Sequence, residues 1–409
     1  MSLAPLRSRP FRHLLVAYGI NQLGDWAGEV ALAIAVFALT RSPAAVAATW
    51  LVHRCVASLA SPVLVARVEG HRASRVLPAF ALIQATLFVA IAIAVSAGAG
   101  LPVLLAVLAA DGVLAPAGRA LSRTSVVAVT QQADLHREGN ALINVVFTAN
   151  GVLAPALGGA LVAGLGPASA LLLDAGTFVV AAAALATARL PTAPRPEHAR
   201  RERALSRLRA SVQHVRRQPL LARLFALDAV LNVLTAMIMP IEVVFITGTL
   251  DAGDAALGAV LTAWGAGMVA GGVALTRLSS APVMVVLLVA AAATGAGTLA
   301  MGVAQTVAMV IAGSAIGGIG NGIYGMTFVT AFQERTAAEH QARVNGLYDM
   351  LISVMPGLGF GLGGVLAAAI GPRVVYLVSG AGCLAVVLYA AARLRGPVGK
   401  PGPAPAPAI

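Results

Sequence analysis

Twelve apolar stretches of about 20 residues run the length of this chain, separated by Gly/Pro or charged turns. A stretch of that length crosses the hydrocarbon core of a bilayer as one helix. Charged residues make up only 11% of the chain, against about 25% in soluble proteins, so most of its surface requires lipid as its solvent. The predicted spans are 13–39, 44–65, 75–96, 101–122, 139–164, 169–189, 220–247, 255–277, 282–303, 306–328, 344–369 and 373–394. The sequence therefore predicts an all-α membrane protein with twelve transmembrane helices.

The second half of the chain repeats the first at an offset of 205 positions. Residues 158–167 read GGALVAGLGP and residues 363–372 read GGVLAAAIGP, with six of ten positions identical. Such a repeat in a membrane protein is typical of transporters whose site lies between two related halves, although two Gly/Ala-rich stretches can also match by chance. We predict two pseudo-symmetric six-helix halves, 1–190 and 218–395.

The positive charge of the chain indicates its orientation. The net charge is +12, and Lys400 is the only lysine. Arginines precede the first span, follow the even-numbered spans and fill the segment between the halves, whereas the odd-numbered loops hold only Arg41 and Arg373. This is a topology signal rather than a nucleic-acid-binding patch, and it places both termini in the cytoplasm. The first segment carries Asp25 and Glu29, which predicts a retained span rather than a cleaved signal peptide.

The segment between the halves, 191–217, is predicted to be a cytoplasmic linker. Over 199–217, leucines and valines recur at helical spacing opposite a face of arginines. This pattern predicts a basic amphipathic helix, which either lies on the inner membrane surface or is solvated. The Pro/Gly-rich tail, 396–409, is predicted to be disordered.

Ionisable residues inside spans are functional candidates because a charge in hydrocarbon costs about 2.5–3.5 kcal/mol or more. In the first half these are Asp25, Glu29, Arg54, Asp111 and Arg119. Asp25 and Glu29 lie one turn apart, and a structural ion pair with Arg54 is the alternative to a proton-coupling role. Two acids facing one arginine leave an excess carboxylate, which favours Asp25 as a proton carrier. For Asp111, the alternative role is as a partner of Arg119 or Arg54.

The second half offers fewer candidates. Asp228 is expected to line the cavity, and Asp349 with Arg343 forms either a gate salt bridge or a substrate contact. Glu242 is expected to lie near the outer surface without a functional role. Polar residues expected to line the cavity are Asn144, Asn232, Asn321 and Tyr324.

Glycine and proline concentrate in the fifth and eleventh spans. Small residues allow close helix approach and proline bends helices, so these two spans suit a moving contact between halves, although ordinary small-residue packing is an equal alternative. The residues with this predicted conformational role are Pro155, Gly158, Gly159, Pro356, Gly363 and Gly364.

No enzyme signature occurs in the sequence. There is no HExxH, no Gly-x-Ser-x-Gly and no GxxxxGK[ST] phosphate loop. Cys55 and Cys383 are isolated in opposite halves, which predicts packing residues rather than a disulfide or a metal site. We therefore expect no metal and no cofactor.

The stretch INQLGDWAGEVALAIAVFALTRSPAAVA (20–47) resembles the first-span pattern of the major facilitator superfamily. Its Leu-Gly-Asp, the Ser-Pro before the second span and Arg54 are similar to the bacterial efflux branch of macrolide-efflux, enterobactin-exporter and transmembrane-effector type. The loop after the second span, VARVEGHRASRV, departs from the superfamily pattern. There Glu69 stands for the expected aspartate and Arg75 for a late basic residue. The fifth-span antiporter motif lacks its first glycine, because Ala154 precedes Pro155.

The resemblance implies a monomeric inner-membrane transporter that exports a lipophilic or cationic drug-like compound by proton antiport and alternating access. It also implies a gating role for Glu69 and Arg75. Export of a siderophore or lysolipid, with Arg54 or Arg119 as counter-charge, and proton-coupled uptake are alternatives within transporters. A membrane-embedded enzyme and a transporter-like sensor or scaffold are alternatives from other classes.

Overall fold

The computed structural model describes most of the chain, namely residues 4–56, 64, 67–68, 72–131, 135–188, 190, 211–277, 281–336 and 338–393. The regular structure of this part is helical throughout. Its principal helices are α1 (Arg9–Thr40), α2 (Pro43–Trp50), α3 (Ala73–Ser96), α4 (Leu101–Gln131), α5 (His136–Leu165), α6 (Pro167–Thr187), α7 (Pro219–Ala236), α8 (Asp254–Arg277), α9 (Val283–Val303), α10 (Val307–Gln333), α11 (Ala338–Ile370) and α12 (Pro372–Arg393). Each overlaps one predicted span.

Shorter helical segments extend this set. A 3₁₀-helix, Ala4–Arg7, precedes α1, and a π-helical turn, Leu51–Val56, continues α2. After α7 come a 3₁₀ turn, Met239–Ile241, and a π-helical turn, Val244–Thr249. Eleven helices of the described part are long and apolar enough to cross a membrane. The predicted second span is described only through Val56, and most of its remainder lies outside the described residues.

Two matching Gly-Pro pairs shape equivalent turns in the two halves. Gly166 and Gly371 have φ angles of 81° and 88°, a left-handed conformation that side chains with a Cβ rarely adopt. The prolines that follow, Pro167 and Pro372, are the first residues of α6 and α12. Proline is favoured there because the first helical N–H has no intrahelical acceptor. The identical Gly-Pro positions of the repeat therefore encode the same turn twice.

The helix pairings of the first half recur in the second. Helix α1 packs on α5 and α6, as α7 packs on α11 and α12. Helix α3 packs on α4 and α6, as α9 packs on α10 and α12, and the π-helical end of α2 contacts α4 as α8 contacts α10. The two halves meet where α5 packs on α8 and α2 packs on α11. The predicted all-helical fold of two pseudo-symmetric halves is confirmed.

Large apolar side chains are exposed along the outside of the bundle. Ile93 on α3, Val289 on α9 and Leu388 on α12 are each more than 60% exposed. Apolar surface of this kind faces lipid in a membrane-spanning protein.

Several predictions fall wholly or partly outside the described residues. Of the predicted linker helix only residues 211–217 are described, and they are helical. Glu69 and the tail 396–409 lie outside the described residues, as do the side chains of Asn144, Arg343 and Asp349.

Candidate functional site

The first acidic pair lies on α1, inside the N-terminal half, and its two members have different partners. Glu29 Oε1 accepts a hydrogen bond from Arg54 Nη2, and the two form an ion pair. Asp25 Oδ2 instead accepts a hydrogen bond from the Asn21 amide at 3.1 Å. Among the described residues Asp25 has no ion pair. The ion pair with Arg54, which was the alternative to a proton-coupling role, is therefore formed by Glu29. Asp25 is the excess carboxylate.

Arg54 is held on the π-helical turn at the end of α2. Its guanidinium lies 5.1 Å from the centre of the Trp50 ring, a cation–π distance. The side chain is 41% exposed although it lies within a predicted span. π-Helical turns often occur at functional sites, because the extra residue rotates side chains out of α-helical register.

Asp111 is not paired as the sequence suggested. Its Oδ2 lies 2.7 Å from His53 Nε2, and its Oδ1 accepts a hydrogen bond from the Gln84 amide at 2.8 Å. Both carboxylate oxygens are thus satisfied in a side chain that is only 2% exposed. The alternative partners, Arg54 and Arg119, are replaced by His53 and Gln84. His53 was missed, although the rule that selected Arg54 also applies to a histidine in the same span.

Arg119 adds a positive charge near the acids described above, but it has no close partner among the described residues. It lies within α4, two turns beyond Asp111, and is exposed. It interacts electrostatically with Asp25, Asp111 and Glu29, but forms no salt bridge among the described residues. The N-terminal half therefore places a free cation near the excess carboxylate.

Asp174 on α6 is a further carboxylate that the sequence analysis did not select. It is fully buried, its Oδ1 accepts a hydrogen bond from Thr177 Oγ1 at 3.3 Å, and its Oδ2 has no hydrogen-bond partner. The carboxylate occupies space that α1 leaves at Gly24 and Gly28, where an added Cβ would overlap it. Its position as the single acidic residue of the predicted span 169–189 was the available signal.

We expect Asp174→Asn to raise the unfolding temperature of the purified protein. The neutral amide keeps the shape of the side chain and removes the cost of holding a negative charge away from water, while its unpartnered Nδ2 takes the place of the unpartnered Oδ2. The gain should be about 1–3 kcal/mol in the free energy of unfolding. Thermal unfolding in detergent measures it, with Thr177→Val as a comparison that removes only the hydroxyl. A fall in unfolding temperature for Asp174→Asn would show that the ionised carboxylate stabilises the fold.

The C-terminal half brings its predicted residues together around one cavity. Asp228 on α7 accepts a hydrogen bond from the Tyr324 hydroxyl of α10 at 3.1 Å, and Asn232 lies one turn further along α7. Asn321 and Tyr324 occupy neighbouring turns of α10, and all four line a cavity of about 100 Å³. These four sequence predictions thus converge in space, although none touches the acidic cluster of α1.

Glu242 was expected near the outer surface of the membrane without a role, and the structure adds that its side chain is buried. It is 7% exposed and lines a second cavity, of about 40 Å³, together with Glu29, Trp26 and Trp50. That cavity has walls from both halves, because α1 and α2 face the end of α7 there. The segment after α7 continues as two short helical turns, and Glu242 lies between them.

The paired glycines of the repeat occupy equivalent positions in the two halves. The first of each pair packs within its own half: Gly158 of α5 on Ala27 of α1, and Gly363 of α11 on Met237 after α7. A Cβ built at Gly158 would lie 2.8 Å from the Ala27 Cα. Only a residue without a side chain allows these approaches.

The second glycine of each pair packs across the halves. Gly159 of α5 faces Gly258 of α8, where an added Cβ would lie 2.8 Å from the Gly258 Cα. Gly364 of α11 faces Ala47 of α2. Both contacts lie toward the end of the bundle at which α1 ends and α2 begins, here called the distal end. Trp50 and Phe360 add a ring contact between α2 and α11 at 5.6 Å.

The prolines and the described loop arginine also have defined places. Pro155 lies inside α5 and Pro356 inside α11. The Pro155 carbonyl faces Gly258 of α8, since a Cβ there would lie 2.7 Å from the oxygen. Arg75 is exposed in the first turn of α3.

Two family models match the sequence. The model described as "Transmembrane secretion effector" matches residues 1–283, more than two thirds of the chain. The model described as "Major Facilitator Superfamily" matches residues 229–408. No curated protein matches the chain.

Solved transporter structures share the fold over nearly the whole chain. A mutant of the nucleoside transporter NupG superposes with a TM-score of 0.75 at 13% identity, covering 94% of this chain and 100% of that one. A bacterial homologue of the iron transporter ferroportin, in an inward-facing state, gives 0.69 at 16% identity over 95% and 99%. A bacterial homologue of the lysosomal transporter Spinster, inward-facing and unoccupied, gives 0.70 at 14% identity over 96% of each chain. At these identities the likeness establishes the fold, which is that of major facilitator transporters, and not the substrate.

Proposed function

The chain belongs to the transmembrane secretion effector family of major facilitator transporters, and we propose that it exports a lipophilic or cationic drug-like compound by proton antiport. Family and fold are those of a multi-pass membrane transporter rather than an enzyme. Export, proton coupling and substrate class are our proposal. It places the protein as a monomer in the bacterial inner membrane, with the halves 1–190 and 218–395 joined by a cytoplasmic linker.

The observation that carries the proposal is the state of Asp25. Glu29 is neutralised by Arg54, and Asp111 is bonded to His53 and Gln84, whereas Asp25 has only a neutral amide as partner. A carboxylate in that position can be neutralised by a proton or by a cationic substrate. Because both ligands compete for one group, binding of either favours release of the other, which is the requirement for antiport.

The driving force is adequate for this exchange. One proton that moves inward down 100 mV supplies about 2.3 kcal/mol, to which any pH gradient adds. Arg119 interacts electrostatically with Asp25 and is exposed, so its position would tune how tightly the carboxylate holds a proton. Glu29 and Asp111, whose pairs hold α1, α2 and α4 in place, would support the site rather than carry the proton.

The packing between halves supports alternating access with the distal end closed. Gly159 against Gly258 and Gly364 against Ala47 join the halves at that end. Arginine placement in the loops puts the opposite end, where α1 begins, in the cytoplasm. The structure would then represent an inward-open state, as in two of the similar transporters, which are inward-facing. Pro155, Pro356 and the paired glycines would form the contacts that change when the transporter opens outward.

The walls at the closed end have chemistry that would attract a cationic substrate, although the space of about 40 Å³ enclosed there would have to widen to admit a drug-sized molecule. The cavity between the halves is lined by Glu29, Glu242, Trp26 and Trp50. Carboxylates combined with aromatic faces favour organic cations. An anionic substrate, such as a siderophore or lysolipid, would instead need a cation in the cavity, and the exposure of Arg54 and Arg119 keeps this as the second candidate.

Transport into inside-out vesicles tests the proposal. We expect vesicles from cells that produce the protein to accumulate a fluorescent lipophilic cation when acidified inside, and to lose it when a protonophore is added. Anionic and zwitterionic dyes in parallel assays test the substrate charge. Accumulation that is indifferent to the protonophore would contradict proton coupling. Accumulation of anions only would favour the second candidate, and dye uptake only into right-side-out vesicles would indicate an import symporter.

A further inference from the structure

The polar cavity of the C-terminal half is built inside one half rather than between the halves. Its walls come from α7, α9, α10, α11 and α12. At about 100 Å³ it is well below the roughly 300–1,000 Å³ of sites for drug-sized molecules. A ligand that occupies it is therefore small, and it differs from the exported compound proposed above.

The threonine hydroxyls and one N–H of each asparagine amide on the cavity wall already donate to other groups of the protein. Two threonines and two asparagines share this property: Thr235 Oγ1 donates to the Leu231 carbonyl at 2.8 Å, Thr294 Oγ1 to the Ala290 carbonyl at 3.1 Å, Asn232 Nδ2 to the Asp228 carbonyl at 2.9 Å and Asn321 Nδ2 to Met268 Sδ at 3.8 Å. Each side-chain oxygen keeps lone pairs that can accept. The cavity thus offers acceptors in excess of donors, which suits a cation.

Asp228 gives this set of acceptors a negative charge. The residue is 1% exposed, its Oδ1 accepts from the Tyr324 hydroxyl, and its Oδ2 is buried without any hydrogen-bond partner. The described residues that line the cavity include no lysine, arginine or histidine. A buried carboxylate oxygen without a donor or a cation is costly, so this atom marks a position where a positive ligand stabilises the protein.

We infer that the cavity of Asp228, Asn232, Thr235, Thr294 and Asn321 is a binding site for Na⁺. Carboxylate, amide and hydroxyl oxygens are hard ligands, and such ligands bind alkali and alkaline-earth cations in preference to transition metals. A single carboxylate balances a single positive charge, which favours a monovalent ion over Ca²⁺ or Mg²⁺. The remaining volume accommodates coordinating water. The site lies in the half opposite Asp25 and does not depend on what the protein exports.

Equilibrium binding of ²²Na⁺ to the purified full-length protein tests the site. We expect saturable binding of one ion per protein, with no such binding to Asp228→Asn. Thr294→Val preserves side-chain volume and removes one oxygen, so it should weaken binding about tenfold, the loss expected for one interaction with a charged group. Glu334→Gln, an exposed acid at the end of α10, should bind as the parent does.

Competition identifies the ligand chemistry. Unlabelled Na⁺ should displace the tracer at lower concentration than K⁺ or methylammonium. Absence of saturable binding to the parent protein, or equal binding to Asp228→Asn, would overturn the inference, and stronger displacement by methylammonium than by Na⁺ would overturn the assignment to an inorganic ion. If Asp228→Asn is not monodisperse, the Thr294→Val comparison decides alone, because unchanged affinity there contradicts the proposed ligand set.

Discussion

Asp25→Asn is expected to reduce proton-driven export to the level of vesicles that lack the protein. Asparagine keeps the shape of the side chain. Its amide oxygen can still accept the hydrogen bond that Asn21 donates. It cannot, however, gain or lose a proton, so one of the two competing ligands of the antiport cycle is removed. The measurement is the initial rate of cation uptake into acidified inside-out vesicles, normalised to the amount of protein in the membrane.

Two variants separate loss of coupling from loss of structure. Asp25→Glu retains a titratable group and should retain part of the protonophore-sensitive rate. Glu334→Gln removes an exposed acid at the end of α10 and should transport as the parent does. Uptake by Asp25→Asn at the parent rate, with undiminished sensitivity to the protonophore, would assign the proton to another group. Asp111 and Glu29 would then be the next variants to measure.

The fold could be predicted because few local features determine it. The length of the apolar stretches predicted the helices. The Gly-Pro turns at 166 and 371 and the glycine pairs at 158 and 363 predicted the repeat. In the structure these glycines make equivalent contacts in each half. Such features are readable because a bilayer permits so few alternatives for the backbone.

The pairing of charges could not be predicted in the same way. Which base meets which acid depends on how each helix is rotated about its axis, and the π-helical turn at Leu51–Val56 alters that rotation for His53 and Arg54. Asp111 therefore meets His53 rather than an arginine. The burial of Glu242 could not be predicted for a related reason, since the chain after α7 continues as irregular helical turns whose direction the sequence does not show.

The two halves have diverged in chemistry while keeping one architecture. The N-terminal half combines several acids with arginines and a histidine, of which Glu29 and Asp111 are paired, whereas Asp25 and the fully buried Asp174 have no ion pair among the described residues. In the C-terminal half, Asp228 is the only acid among the described residues that line the polar cavity. Repetition of the helix pairings supplies a symmetric scaffold, and under our proposals the substitution of a few buried side chains would give each half a separate ligand.

Gly159→Val is expected to reduce transport strongly by disfavouring the distal closure of the two halves. A Cβ at this position would lie 2.8 Å from the Gly258 Cα, so valine forces α5 away from α8. Such overpacking costs about 1–3 kcal/mol, which shifts a two-state equilibrium by roughly five- to 150-fold toward the state in which this contact is open. Gly364→Val should likewise disfavour distal closure, because it overpacks the related contact of α11 with α2.

Double electron–electron resonance measures this shift directly as a change in the distance between spin labels at Leu165 and Ala255. The two positions are exposed at the distal ends of α5 and α8, so labels there report the separation of the halves without entering the contact. We expect the distance distribution of Gly159→Val to move to longer values than that of the parent. Gly164→Val is the matched control, because a Cβ at Gly164 meets nothing within 4 Å, and it should leave both distance and transport unchanged. Unchanged distances with transport lost would mean that the α5–α8 contact stabilises the fold without taking part in the conformational cycle.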